Sequence, residues 1–161
     1  MHSRGERASE SSVFSVRRMS ASDVSAALSI LQESPEAALW SQESLLESAA
    51  CGFAWTAELD GRVAGLLIGR AGADEFEILN LAVGRAYRRR GIATQLLAAA
   101  LEHAQTVGAM KAYLEVRAFN EGAIAFYSRM GFRVSGRRPN YYRNPIEDAV
   151  LLSLPTNGTA P

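Results

Sequence analysis

The sequence predicts an α/β protein in which a mixed β-sheet carries helices on both faces. Short apolar runs typical of strands alternate with segments in which apolar residues recur at helical spacing. The segment 76–116 has the order strand, helix, strand, which nearly always places two parallel strands side by side with a right-handed crossover. An Asp60-Gly61 pair between two apolar runs is typical of an antiparallel hairpin, so parallel and antiparallel pairs share the sheet.

Composition agrees with an ordinary globular protein and excludes several kinds of site. The chain has 161 residues, of which 48% are hydrophobic and 21% charged, with 17 Lys and Arg against 17 Asp and Glu. A net charge of zero gives no general attraction to nucleic acid or to an anionic membrane. The single Cys51 excludes a disulfide framework, and two histidines are too few for a His-rich zinc centre. We therefore expect no metal site.

We expect a single domain over residues 13–154, flanked by disordered tails at 1–12 and 155–161. Both tails are polar or rich in small residues. No apolar run reaches the roughly 18–20 residues that cross a bilayer, and residues 1–12 lack the apolar segment of a secretory signal. A cytoplasmic protein is the expectation.

Local signals predict the elements of the first half of the chain. Alternating apolar and polar residues after residue 12 predict a strand. Ser20 and Asp23 have the spacing of a capping box and open a helix, and Ser34 before Pro35 starts a second helical region. The predicted elements are a strand over 13–17, a helix from 20 to 31, a helical region from 34 to about 50, and hairpin strands over 53–59 and 63–69.

The second half contains the parallel pair and two closing strands. Helical spacing begins at Ile92 and ends at Gly108, since glycine is typical of a helix C-terminus. Asn120 caps the last helix and Gly131 ends it. The remaining predicted strands cover 76–83, 112–116, 133–137 and 149–154, so the complete order is β-α-α-β-β-β-α-β-α-β-β.

An arginine-rich turn lies where such sheets bind ligands, at the carboxyl ends of the strands. Residues 84–91 include Arg88 to Arg90 and end on Gly91 at a helix start. Backbone N–H groups, the helix dipole and guanidinium groups there suit a pyrophosphate. The turn has neither the Gly-Lys-Ser/Thr of a Walker A loop nor a G-x-G-x-x-G motif. Taken alone, it is explained equally well as a solvated arginine run.

Three polar residues after this turn have both a functional and a structural interpretation. Glu115 ends an otherwise apolar strand, where a carboxylate is costly unless it has a function or pairs with Arg117 or another arginine. Tyr127 lies on the buried stripe of its helix and is either a core residue or an acid. Capping alone explains Asn120. No nucleophile constellation accompanies them.

These motifs together resemble the GNAT acetyltransferase superfamily, in which R-x-x-G-x-A, here Arg88–Ala93, is the acetyl-CoA pyrophosphate motif. The resemblance covers nearly all of residues 13–154. It narrows to the ribosomal-protein-alanine N-acetyltransferases and their relatives that acetylate protein N-termini. The segments that narrow it are Leu79–Val83, Leu114–Arg117 with Asn120, Ala125–Tyr127, Met130–Phe132, and Arg137–Tyr142 followed by Glu147–Ala149. In the Arg137–Tyr142 segment, Pro139 adds one residue to the family's pattern.

The resemblance implies acetyl-CoA as the co-substrate and identifies the residues that hold it. Leu81, Ala82 and Val83 would offer backbone groups to the pantetheine arm and the thioester carbonyl, from a splayed strand edge. Asn120 would bond the pantetheine arm. The pyrophosphate would be held by Arg89, Arg90, Gly91, Ile92, Ala93 and Thr94.

The resemblance also implies the roles of the reacting groups. Glu115 would act as general base, and Tyr127, with an unperturbed pKa near 10, as general acid for the departing thiolate. Tyr141 and Tyr142 would lie on the side of the peptide acceptor. No protein nucleophile is required, because a neutral amine attacks the thioester directly.

The implied function is acetylation of a protein α-amine, with the N-terminal alanine of a ribosomal protein as acceptor and without direct contact to nucleic acid or membrane. A lysine or small-amine acceptor, and a non-catalytic CoA-binding sensor, remain as alternatives. Glu115 together with Tyr127 favours catalysis, and Tyr141-Tyr142 favours a peptide, because adjacent tyrosines can clamp an extended backbone. Nucleic-acid binding has only the arginines at 85–90 in its favour.

Overall fold

The computed structural model describes residues 13–34 and 40–156, which form one seven-stranded sheet with four α-helices. The strands are β1 (Phe14–Arg18), β2 (Ala54–Leu59), β3 (Arg62–Gly72), β4 (Glu75–Val83), β5 (Lys111–Arg117), β6 (Arg133–Tyr142) and β7 (Glu147–Pro155). The helices are α1 (Val24–Gln32), α2 (Gln42–Ala50), α3 (Ile92–Thr106) and α4 (Glu121–Arg129). The predicted class and order of elements are confirmed.

One parallel strand pair stands at the centre of the sheet and separates before either strand ends. The strand order is β1-β2-β3-β4-β5-β7-β6, and every neighbouring pair except β4–β5 is antiparallel. The parallel pairing ends where Glu77 faces Tyr113, yet β4 continues to Val83 and β5 to Arg117. The two strands therefore splay apart toward their carboxyl ends and leave a cleft between them.

A β-bulge in β4 lies where this separation begins. Consecutive residues of β3 face Ile78 and Asn80, so Leu79 between them is an extra residue. A bulge bends its strand and increases the local twist, which turns the end of β4 away from β5. Gly69 on β3 faces Ile78, and a side chain at that glycine would overlap the ring of Phe76.

Helices cover both faces of the sheet, as predicted, and each face has its own apolar core. Phe76, Leu97 and Leu114 belong to the core on the face that α3 packs against. Val24 and Leu45 belong to the core under α1 and α2. Because burying one such side chain contributes about 1.5–3 kcal/mol, the two cores fix the sheet that carries the cleft.

The predicted turns and caps are confirmed at the positions that the structure describes. Asp60 and Gly61 both have positive φ angles, 51° and 76°, as a two-residue type I′ hairpin turn requires. The backbone N–H of Ser20 donates to the Asp23 carboxylate at 2.8 Å, as in a capping box. This box opens a short 3₁₀ turn over Ala21–Asp23 that leads into α1.

The second helical region is shorter than predicted. Its predicted start at Ser34-Pro35 leads into residues 35–39, which lie outside the described residues. Trp40 and Ser41 are not helical, and α2 begins after Ser41, whose Oγ accepts the backbone N–H of Ser44 at 3.0 Å. A local serine cap therefore starts this helix.

The last two strands are longer than predicted. β6 extends to Tyr142 because Asp148 binds the bulged segment at its centre, accepting the Asn140 N–H at 2.9 Å and the Arg137 Nε–H at 2.8 Å. Pro155 ends β7, and Thr156 is buried with its hydroxyl donating to the Ala109 carbonyl. The last strand and the packed residue after it therefore extend past the predicted strand end at 154. The expected tail at 1–12 and residues 157–161 of the expected tail at 155–161 lie outside the described residues.

Candidate active site

The splayed ends of β4 and β5 border a cleft of about 970 Å³. It brings together most of the residues that the sequence analysis selected. The predicted site residues that line it are Leu81, Ala82, Val83, Arg89, Gly91, Ile92, Ala93, Thr94, Glu115, Asn120, Tyr127 and Tyr142. Arg90 and Tyr141 are not among the lining residues.

The arginine turn forms one end of the cleft and has the geometry of an anion site. Gly91 is the N-cap of α3 with a φ of 80°, and no described atom outside its immediate chain neighbourhood lies within 4 Å of where its Cβ would be. The first N–H groups of an α-helix have no intrahelical partner, so those of α3 can bind a ligand. Arg85 and Arg89 line the cleft, and neither forms an ion pair with a described residue. Uncompensated positive charge at a helix N-terminus attracts an anion.

The β4 edge of the cleft is backbone without a strand partner on that side. Beyond Glu77, β4 pairs with β3 but not with β5. The Arg88 Nε–H donates to the Val83 carbonyl at 3.2 Å, which holds this arginine against the end of the strand. Backbone groups of β4 beyond Glu77 are therefore available to an extended ligand, as the splayed edge in the prediction requires.

Glu115 lies opposite this edge and has two polar partners from β6. Its side chain is 13% exposed, and its Oε1 lies 3.3 Å from Nε of Arg138. The Glu115 carboxylate also lies close enough to the Tyr141 hydroxyl to raise the pKa of Tyr141. The predicted alternative of an ion pair is thus confirmed with Arg138 rather than with Arg117, and the paired carboxylate still lines the cleft.

The two tyrosines of β6 pack against each other beside Glu115. Their rings are nearly perpendicular, with centroids 5.0 Å apart. The guanidinium of Arg117 lies 4.5 Å from the centroid of the Tyr142 ring. Burial, followed by the nearby charge of Glu115, raises the pKa of Tyr142 to about 12. Both tyrosines therefore keep their protons at neutral pH and can donate hydrogen bonds.

Tyr127 is buried where α4 meets the cleft, with an exposed fraction of only 6%. Its ring packs edge-on against Phe126 and Phe132, at centroid distances of 5.1 and 5.4 Å. Burial raises its pKa well above the usual range. The prediction of an unperturbed pKa near 10 is therefore wrong, because the phenolate would lose its hydration in this apolar environment.

Asn120 serves as a cap and lines the cleft as well. Its Oδ1 accepts the backbone N–H of Ala123 at 3.1 Å, which is the predicted N-cap bond. An asparagine side chain also carries an NH₂ group with two donors, which this bond does not use. Capping and ligand binding are therefore compatible at this residue.

Arg138 and the Arg117–Glu147 pair are site features that the sequence analysis did not identify. Arg138 lies in the Arg137–Tyr142 segment, which is part of the family resemblance, but the sequence does not indicate that it pairs with Glu115. Its partner depends on how β6 pairs with β7: three residues of β6 lie between Arg138 and Tyr142, against one between Ala149 and Glu147 of β7. The extra residue Pro139 is the one local signal for this bulge, since proline inside a strand is typical of edge strands and bulges, but it does not predict the partner of Arg138.

Two negative observations concern the described residues alone. Within residues 13–34 and 40–156, no group of three or more His, Cys, Asp or Glu side chains could hold a metal ion. None of the helices described there combines the length and the apolar composition that a bilayer span requires. The absence of a metal site stays a prediction.

Comparison with known proteins identifies the family. The sequence profile of the Acetyltransferase (GNAT) family matches residues 20–132. The [ribosomal protein bS18]-alanine N-acetyltransferase of Salmonella typhimurium is 38% identical over 98 residues, which are 60% of this chain and 66% of that relative. The match thus spans just under two thirds of the relative's length.

Two solved structures agree with the profile over nearly their whole length. The ribosomal-protein-S18-alanine N-acetyltransferase from Escherichia coli superimposes with a TM-score of 0.80 at 28% identity, covering 92% of this chain and 99% of that one. Ard1 from Thermoplasma volcanium gives a TM-score of 0.81 at 27% identity, covering 88% and 97%. These matches confirm the resemblance found in the sequence, and the chain belongs to the Acetyltransferase (GNAT) family.

Proposed function

We propose that this protein transfers the acetyl group of acetyl-CoA to the α-amino group of a protein N-terminus. We further propose that the acceptor is the N-terminal alanine of a ribosomal protein, as the name of the Salmonella relative states for that protein. One observation carries the proposal. A carboxylate, Glu115, and a protonated phenol, Tyr127, line the same cleft as an anion-binding turn.

GNAT acetyltransferases use acetyl-CoA, which supplies an activated acetyl thioester. The cleft fits this molecule, because the arginine turn suits its pyrophosphate and the unpaired edge of β4 suits its extended arm. Arg89 and the backbone N–H groups at the start of α3 would hold the pyrophosphate, with Arg90 as a further contact. Leu81–Val83 and the free NH₂ of Asn120 would hold the arm.

Glu115 would take the proton that the amine must lose. An α-amino group has a reference pKa of about 7.7–8.0, so a substantial fraction is neutral at pH 7. A single carboxylate, acting directly or through a water molecule, is then an adequate base. Arg138 compensates the negative charge of Glu115 in the resting protein without removing the carboxylate from the cleft.

Tyr127 would donate a hydrogen bond to the sulfur as it leaves. The reference pKa of a thiol is about 8.5, far below the raised pKa of this buried phenol. Complete proton transfer from Tyr127 to the thiolate would therefore be uphill. A fixed O–H aimed at developing charge stabilises it without that transfer. This role replaces the full general acid expected from an unperturbed tyrosine.

The α-amine is favoured over lysine by the cost of deprotonation. Lysine has a reference pKa of about 10.4, roughly 2.5 units higher, which corresponds to about 3.4 kcal/mol. The perpendicular Tyr141 and Tyr142 pair, whose hydroxyls keep their protons, could bond the first peptide groups of an N-terminus.

The proposal is tested by incubating the protein with acetyl-CoA and short peptides that differ only in their first residue. Mass spectrometry of the fragments locates the acetyl group. Acetylation of the α-amine, fastest for alanine or another small first residue, is the expected result. Binding of acetyl-CoA without transfer to any peptide or amine would favour a non-catalytic sensor instead.

A further inference from the structure

A partly buried ion pair at the end of β5 has no role in the proposed reaction. Arg117 and Glu147 approach to 3.4 Å, and their side chains are only 24% and 6% exposed. Removing two charges from water is costly, so a buried ion pair is weak evidence for stability. A pair that contributes little to stability can still fix the geometry of the segments that it joins.

The contacts of Arg117 all lead to the turn between β6 and β7. Its Nη1 donates to the carbonyl of Pro145 at 3.3 Å, and its Nη2 to the carbonyl of Arg143 at 3.2 Å. The face of its guanidinium lies on Tyr142, the last residue of β6. One side chain therefore holds both the turn and the aromatic ring that borders the cleft.

Glu147 extends this connection to the turn that precedes α4. While its Oε1 faces Arg117, its Oε2 accepts the backbone N–H of Phe119 at 2.9 Å. The adjacent N–H of Ala118 donates to the carbonyl of Asp148 at 2.9 Å. The end of β5, the turn after it and the β6–β7 turn are thus bonded into one unit, called here the Arg117–Glu147 frame.

The frame reaches the proposed base through the two tyrosines. Tyr142, under the guanidinium of Arg117, packs edge-on against Tyr141. The hydroxyl of Tyr141 is near the Glu115 carboxylate, which raises the pKa of this tyrosine. A shift of Tyr142 therefore changes the surroundings of Glu115 on the acceptor side, while the arginine turn across the cleft has no part in these contacts.

We propose that Arg117 is a positioning residue that sets the acceptor wall of the cleft through Tyr142 and the β6–β7 turn. This inference rests on the proposed function, since it assumes a peptide acceptor on that wall. The side-chain contacts of Arg117 described above include none of the residues assigned to the cofactor. Loss of Arg117 should weaken use of the peptide and leave acetyl-CoA binding intact.

The test is steady-state kinetics of Arg117→Met with an alanine peptide, together with the thermal shift that acetyl-CoA produces. We expect kcat/KM for the peptide to fall roughly ten- to hundredfold, mainly through KM, because small misplacements of positioning groups have effects of this size. The acetyl-CoA shift should equal that of the parent. Arg117→Lys should not restore KM, because an ammonium cannot reproduce the planar fork of arginine.

Arg17→Met is the matched control, since it breaks the Arg17–Asp23 pair at the far edge of the sheet, where the two groups lie 2.6 Å apart. It should lower the melting temperature and leave the peptide KM unchanged. If Arg117→Met does the same, the pair is only structural and the inference is wrong. If the parent acetylates no peptide, the proposed function itself fails.

Hydrogen–deuterium exchange tests the frame without any acetylation. Glu147→Gln should speed exchange at the Phe119 amide, because a neutral amide oxygen accepts more weakly than a carboxylate. Arg117→Met should speed exchange across 143–146, even if its melting temperature is unchanged. Unchanged exchange at both places in the two variants would contradict the frame.

Discussion

The two walls of the cleft differ in whether their charged side chains form ion pairs within the protein. On the wall built by β4 and the start of α3, Arg85 and Arg89 have no ion-pair partner among the described residues. On the wall built by β5, β6 and β7, each acidic side chain is paired with an arginine of the protein. These pairs are Glu115 with Arg138, Arg117 with Glu147, and Arg137 with Asp148.

We interpret this difference as a division between a wall that binds an anion and a wall that orients the acceptor. An uncompensated wall, whose positive charges have no ion-pair partner, is stabilised when an external anion binds to it. Its ligand should therefore stabilise the fold, and salt should weaken the attraction. A compensated wall, whose charges are already paired within the protein, attracts an external ion only weakly, but these pairs keep its side chains in fixed positions. The predictions below test whether the two walls can be disturbed separately.

The largest expected effect is on the uncompensated wall. Gly91→Val should abolish stabilisation by acetyl-CoA, because a side chain would occupy the open space before α3. For the parent, ligand at a hundred times its Kd should add about 2.7 kcal/mol. Thermal melts with and without acetyl-CoA measure both values.

Gly61→Val is the control for backbone strain in this experiment. Gly61 has a φ of 76°, close to the 80° of Gly91, and also has open space at its Cβ position, but it lies in the β2–β3 turn. Both variants should lose similar stability without ligand. An acetyl-CoA shift in Gly91→Val equal to that of the parent would show that this turn does not bind the cofactor.

The next effect concerns the compensated wall. Glu115→Gln should lower turnover about 10²–10⁴-fold and leave the acetyl-CoA shift unchanged, because the amide cannot accept the proton. The loss should be largest at low pH, where more of the amine is protonated. Glu77→Gln is the control, since Glu77 is similarly enclosed, at 16% exposed, and pairs with Arg70 outside the cleft. Superimposable pH–rate profiles for Glu115→Gln and the parent would eliminate Glu115 as the base.

A smaller loss is expected at Tyr127, which lies between the two walls. Tyr127→Phe should lower turnover about 10²–10³-fold, the range typical of removing one donor from developing negative charge. Cofactor binding should change little. Tyr113→Phe removes a hydroxyl bonded to Glu77 outside the cleft and should be nearly neutral. Full activity of a folded Tyr127→Phe would make Tyr127 a core residue only.

The smallest effect lies away from both walls, near the C-terminal end of α3. Burial, and then the charge of Arg18, lower the pKa of His103 below its ordinary 6.5. The unfolded chain therefore binds a proton at His103 more readily than the folded protein does. As a result, the free energy of unfolding decreases as the pH falls below about 6.5. Melting temperatures from pH 8 to 5 should fall less steeply in His103→Gln. Equal slopes would contradict this source of the pH dependence.

The sequence predicts a wall well when the residues of that wall lie close together along the chain, and poorly when distant strands bring them together. The anion turn and the helix start after it are adjacent in sequence, so the R-x-x-G-x-A motif and the order strand, turn, helix predict their geometry. The acceptor wall depends on pairing among β5, β7 and β6, where the bulge around Asn140 brings Arg138 beside Glu115. A bulge of this kind depends on distant strands, so the sequence predicts the tyrosines but not their partners.

Tyr127 illustrates a second limit of sequence reasoning. Helical spacing correctly predicts that its side chain lies on the buried stripe, and the motif gives its place beside the cleft. The pKa of its hydroxyl depends on how completely Phe126 and Phe132 exclude water, which is a tertiary property. The role that we propose for Tyr127 therefore changes from proton donor to hydrogen-bond donor only when the packing is known.

The central claim is that the acceptor is an α-amine, and one comparison of two peptides tests it most directly. Both have the same sequence with an internal lysine: one has a free N-terminal alanine, and the other has that terminus blocked. Initial rates with saturating acetyl-CoA, with the acetyl group located by mass, are measured at pH 7. The account predicts acetylation of the free peptide at its α-amine and little reaction of the blocked one. Faster acetylation of the blocked peptide would contradict it and make lysine the acceptor.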